Sequence, residues 1–135
     1  MGVRPERTKS LQELAALDLG RVEKDDTPLI ARCKQLLTKP LGKFTAEDLR
    51  VMIGQGLALG HLVPLAIDLL VENPLAEGAF FPGDLLAAVL RLDGHIWSSH
   101  PEWRDNVSRI VLQFREQILE EWADDADLAK LLESW

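Results

Sequence analysis

Apolar and polar positions along the chain alternate in short helical stripes separated by breaks marked with proline and glycine. Residues 1–9 read as a polar, flexible arm. SLQE at 10–13 has capping-box spacing, the Ser10 hydroxyl being placed to accept from the backbone at Glu13. It predicts a short helix to about residue 17, with Leu11, Leu14 and Leu17 on one side. The polar run 18–26, with Gly20, reads as a loop. Thr27 and Pro28 then supply an N-cap hydroxyl and a proline at the first helical position, opening a helix that carries Leu29, Ile30, Cys33, Leu36 and Leu37 and is limited by Pro40.

Residues 41–92 form the apolar hub. TAED at 45–48 opens a helix whose first-turn acids complement the macrodipole, with Leu49, Met52 and Ile53 on its inner side. Gly54, Gly56 and Gly60 break it. Their spacing loosely resembles a dinucleotide-binding turn, but that motif follows a strand, and here a helix precedes, so a chain reversal is expected. Leu62, Leu65, Ala66, Leu69 and Leu70 make a full helical stripe, widened by Val63, Ile67 and Val71. A helix over 62–72 that is apolar almost all round must sit inside the fold. Pro64 is expected in its first turn, and Asn73-Pro74 ends it. The 78–83 loop should pack both Phe80 and Phe81 inward, and Asp84 should cap the helix bearing Leu85, Leu86, Val89 and Leu90.

After the Asp93-Gly94 turn come a short helix around Trp97, a break at His100-Pro101, and one long helix over 101–122. That helix carries Trp103, Val107, Ile110, Val111, Phe114 and Ile118 on one side. Leu128, Leu131, Leu132 and Trp135 form a last stripe that either docks or binds a partner. No β alternation and no repeat interrupts the pattern. The expected architecture is all-α: a single-domain bundle at 10–135 with about seven helices around the central one at 62–72.

Composition adds limits. With 47% hydrophobic and 27% charged residues, 135 residues suffice for a real core. The lone Cys33 has no partner for an internal disulfide, and no apolar run follows the basic N-terminal residues or reaches membrane-spanning length; a cytoplasmic home is expected. The net charge of −7 is concentrated: 116–135 holds seven acids against one base, Lys130. That argues against direct nucleic-acid binding, which needs clustered Lys and Arg, and for a basic protein partner. The candidate binding residues are Glu116, Glu120, Glu121, Asp124, Asp125 and Asp127, and Trp122 and Trp135 beside them suit either an interface or the core. A structural role competes for the same acids: Asp124, Asp125 and Asp127 stand where a helix begins, and the glutamates suit a solvated helix side.

Catalytic chemistry finds little footing. Ser98, Ser99 and His100 are consecutive and do not make a triad. His61, His95 and His100 lack metal-ligand spacing, and Cys33 has no placed base to activate it. No catalytic residue, metal or cofactor is expected, and no membrane partner. From residues alone, a small non-catalytic helical adaptor or regulator using the C-terminal stripe stands as the alternative reading.

Several segments carry a resemblance in order: SLQEL at 10–14, KPLGKFTAEDLR at 39–50, MIGQGL at 52–57, HLVPLA at 61–66, ENPLAEG at 72–78, FPGDLL at 81–86, and Trp97 with HPE at 100–102. Together, over about 10–103, they resemble the immunity proteins of bacterial contact-dependent growth inhibition (CDI). The resemblance implies a protein that binds the C-terminal toxin domain delivered by a neighbouring cell, often a nuclease, and blocks it.

Overall fold

A computed structural model of the chain describes residues 5–15 and 17–135. Among these there are nine α-helices and no strand: α1 Leu11–Ala15, α2 Pro28–Leu36, α3 Ala46–Gly54, α4 Leu59–Glu72, α5 Asp84–Leu90, α6 Gly94–Ser99, α7 Pro101–Gln113, α8 Arg115–Trp122 and α9 Ala126–Glu133. The all-α expectation holds. Of the expected arm, residues 1–4 lie outside the described ones. Pro5–Thr8 forms a 3-10 turn against a second one at Leu41–Lys43. The Leu41 N–H donates to the Lys9 carbonyl at 3.0 Å, and an isolated bridge pairs Ser10 with Pro40.

The local start signals act as their chemistry demands. Ser10 Oγ accepts from the Glu13 N–H while the Glu13 carboxylate accepts from the Ser10 N–H. Thr27 Oγ1 accepts from the Ile30 N–H, and Thr45 and Asp48 complete a reciprocal box on α3. At the α3 C-terminus Gly56 takes φ +69°, the Leu57 N–H reaches the Met52 carbonyl at 3.0 Å, and the Gly56 N–H reaches Ile53 at 2.9 Å. This is a Schellman ending, which uses up the amides a phosphate would need. The chain reversal expected at the glycines is what forms.

Helix α4 packs against α3, α5 and α7 and buries Leu62, Val63, Ala66, Ile67 and Leu70. It starts earlier than expected, at Leu59, behind Ala58 in the left-handed region (φ 51°). Pro64 therefore lies beyond the first turn, and the Gly60 carbonyl loses the intrahelical donor that residue 64 would have given it. Val71 is exposed, so α4 keeps one wet side. Helix α5 is still more enclosed, with six of its seven residues buried and α3, α4 and α9 around it.

Two other expectations change, and one left open is decided. Leu29 and Ile30 are 43% and 46% exposed, because α2 turns only Cys33 and Leu36 into the core and its first turn projects past the neighbouring helices. The expected helix over 101–122 is two helices, broken at Phe114 (φ −111°, ψ 17°), which accounts in part for nine rather than about seven. The break lets α7 run along α4 while α8 turns to pack with α9, burying Ile118 and Trp122. The C-terminal stripe docks. Leu128 and Leu132 are buried, and Trp135 donates from Nε1 to Ser108 Oγ at 3.1 Å and meets Trp97 edge-on at 4.9 Å.

Asp48 braces the N-terminal half. It is 2% exposed, and its carboxylate accepts from Arg32 at 2.6 Å, Lys39 at 2.5 Å and the Thr45 N–H at 3.0 Å, joining α2, the following loop and α3. Burial pushes its pKa up, but the hydrogen bonds from Lys39, Thr45 and Arg32 and the Lys39 charge outweigh that and hold it at about 2, below the usual 3.8. Because the folded pKa is the lower one, this stabilisation is complete above pH 3.8 and is lost as pH falls toward 2. At about 1.4 kcal/mol per tenfold change in proton affinity, it amounts to about 2 kcal/mol. Asp48→Asn is expected to lower stability at pH 7 by about that amount and to flatten the loss between pH 4 and pH 2, as measured by urea denaturation of both proteins across that range.

Candidate functional site

The six candidate acids all lie on the surface of α8, α9 and the turn between them: Glu116, Glu120 and Glu121 on α8, Asp124 and Asp125 in the turn, Asp127 in the first turn of α9. All are exposed, and among the described residues none has a basic group within ion-pair distance. Their local roles divide them. Asp125 Oδ1 accepts from the Leu128 N–H at 3.1 Å and caps α9, and Asp127 and Glu116 stand in first turns, where the helix dipole favours an anion. Glu120 and Glu121 occupy the last turn of α8, with no base beside them and Asp124 just beyond. The dipole disfavours negative charge there. Capping and the dipole of α9 thus suit Asp124, Asp125 and Asp127, that of α8 suits Glu116, and Glu120 and Glu121 are left as charge placed against the local preference.

Of the two roles open to the tryptophans, interface and core, both residues take the second and serve as packing groups. Trp122 is buried in the middle of the acidic run, and its Nε1–H donates to the Pro82 carbonyl at 3.1 Å. Its indole lies against Gly83, so closely that a Cβ there would come within 2.8 Å of Nε1. Trp135 is half-buried against Trp97, with the Arg104 guanidinium 5.8 Å from its ring centre. Both aromatics were drawn toward the core by hydrogen-bond partners 27 to 40 residues away, which no local pattern contains.

Above Trp122 stands the 78–83 loop, built on two carboxylates. Asp84, 3% exposed, accepts from the N–H groups of Gly78 at 2.7 Å, Phe80 at 3.0 Å and Phe81 at 3.4 Å. It is the first residue of α5, with Gly83 (φ +88°) at the cap position, so it organises the preceding loop rather than capping its own helix as expected. Glu47 of α3 accepts from the Ala79 N–H at 2.8 Å and is held by Arg50 in two bonds of 2.7 and 2.6 Å. The bonds from Arg50 hold the Glu47 carboxyl below its usual range, against the pull of burial and helped by the Ala79 amide. A Cβ at 78 would lie 2.5 Å from Glu47 Oε1, so any larger residue there displaces the Glu47 carboxylate from its bonds. The result differs from the expectation that both phenylalanines pack inward: Phe81 packs on the core, but Phe80 is 70% exposed, with the Arg50 guanidinium 4.4 Å from its ring centre. With every amide from 78 to 81 bonded to a carboxylate, the backbone geometry turns Phe80 out.

The other candidates for chemistry resolve structurally. Ser98 Oγ donates to the Gly94 carbonyl, and His100 stacks on Trp103 at 3.6 Å. Among the described residues no group of His, Cys, Asp and Glu is arranged to hold a metal ion, and no helix is long and apolar enough to cross a membrane. Cys33 is buried, and burial raises its thiol pKa more than Arg32 lowers it. Gly83 carries the linkage between the loop and α8. Gly83→Ala combines a left-handed backbone with a collision against buried Trp122, and is expected to cost about 2–4 kcal/mol by denaturant unfolding. Trp122→Phe, which strips the donor from the Pro82 carbonyl, should cost about 1–3 kcal/mol.

No curated protein matches the chain. Residues 9–107 match the family model of CDI immunity proteins, which spans the described chain from Lys9 through most of α7 and includes the Asp48 brace and the Glu47–Asp84 loop scaffold. The acidic turn and α9 lie beyond the matched segment. A match over that much of the sequence makes the assignment plain: the chain belongs to the CDI immunity proteins.

Proposed function

We propose that this protein binds the C-terminal toxin domain of its own CDI system in the cytoplasm and neutralises it, acting by occupancy rather than catalysis. The toxin domain is a basic protein, a nuclease, whose nucleic-acid surface supplies the complementary charge. Family membership supports the immunity role. The choice of surface rests on one observation: Glu120 and Glu121 are exposed, unpaired and set at the helix end whose dipole opposes them, with exposed Asp124 beside them. Charge kept where it does not help folding suits a face selected for a partner, and it steers a basic domain during encounter. The alternative of an adaptor binding through the C-terminal stripe loses support, because that stripe is packed against α5 and α8.

Co-expression with the toxin domain encoded beside it is expected to restore growth and give a complex that survives gel filtration; absence of a complex would refute the assignment. The triple variant Glu120→Lys, Glu121→Lys, Asp124→Lys should slow association about tenfold or more at low salt and flatten the salt dependence of the on-rate, in stopped-flow or biolayer measurements. Unchanged rates would remove the acidic turn from the interface. The variant's melting temperature should not fall, since no folded contact is lost.

A further inference from the structure

Phe80 is an anomaly for a folded surface. A large aromatic ring, 70% exposed, sits on a loop that is anything but slack: four successive N–H groups, from Gly78 to Phe81, are held by Asp84 and Glu47. One ring face is already stacked by Arg50, whose guanidinium is fixed in turn by its two bonds to Glu47. A ring fixed in this way gives up little freedom when a second protein covers it, which is the property that distinguishes interface anchors from other exposed side chains. Beside it opens a groove of about 390 Å³ walled by Ile53, Phe81 and Leu92, with Arg91 on its rim. The loop is also tied to the acidic turn: Trp122, next to Glu121 and two residues before Asp124, reaches up to bond Pro82, two residues from Phe80.

We infer that Phe80 is the apolar anchor of the toxin-docking surface, with the carboxylates of the α8–α9 turn as its charged flank. This rests on the reading of that turn as a docking face. The partner is a basic protein domain that offers two things at once. Its Lys and Arg side chains meet Glu120, Glu121 and Asp124, and an uncharged apolar side chain covers the free face of Phe80 and enters the groove. The division follows from the charges. The acids govern how fast the partner arrives, and Phe80 governs how long it stays.

The test compares the full-length chain, Phe80→Ala, Phe80→Trp and the acidic-turn triple lysine variant against the toxin domain by surface plasmon resonance at two salt concentrations. Phe80→Ala is expected to raise the dissociation rate about thirtyfold or more with the on-rate and its salt slope unchanged, as loss of a central aromatic anchor does. Phe80→Trp should stay within about threefold of the parent, and both variants should melt with the parent because the ring is exposed. Phe80→Ala binding within twofold of the parent, while the lysine variant loses its on-rate, would overturn the anchor and leave the acidic face standing. No binding by the parent chain would overturn both. Self-association of the parent in sedimentation, abolished by Phe80→Ala, would overturn the inference in favour of a second copy of this chain as the occupant.

Discussion

The enclosure of α5 is the constraint on which most of this structure depends. A seven-residue helix is too short to hold itself together in water, so Asp84–Leu90 exists only because α3, α4 and α9 close around it. That requirement propagates. To bring α9 over α5, the chain must turn twice after α7, once at Phe114 and once in the acidic turn. To seat the start of α5, Gly83 must adopt a positive φ and leave room for Trp122. The 78–83 loop, the α8 terminus and the outward Phe80 are consequences of burying those few apolar side chains.

Two buried carboxylates hold the parts that packing alone would leave loose. Asp48 gathers Arg32, Lys39 and the α3 terminus; Asp84 gathers the amides of the 78–81 backbone. Each replaces lost hydration with charge-assisted hydrogen bonds, the condition under which a buried charge is tolerated. Both lie within the segment that matches the CDI immunity family, as do Glu47, Arg50 and Phe80. The acids at the end of α8 lie outside it and hold no part of the fold together. On the proposed function, the matched segment supplies a rigid frame and an aromatic anchor, and the exposed charge beside them selects the partner.

What the sequence by itself determined was whatever is written within a few residues. The boxes at Ser10–Glu13 and Thr45–Asp48, the Thr27 cap and the glycine reversal after α3 all depend on hydrogen bonds spanning three to five positions, and each formed as expected. The resemblance to immunity proteins was legible for the same reason, being carried by short ordered motifs. Only the tertiary structure decided which apolar groups stay wet and which polar ones go in. Leu29 and Ile30 share a stripe with Cys33 yet remain half outside, because α2 turns only Cys33 and Leu36 into the core. Phe80 and Phe81 are adjacent and chemically identical, and the carboxylates of Glu47 and Asp84 set their opposite fates. Trp122, among acids, could have served an interface or the core, and the Pro82 carbonyl forty positions earlier in the chain decides for the core. Those outcomes depend on contacts between distant segments, and such contacts exist only once the helices have packed.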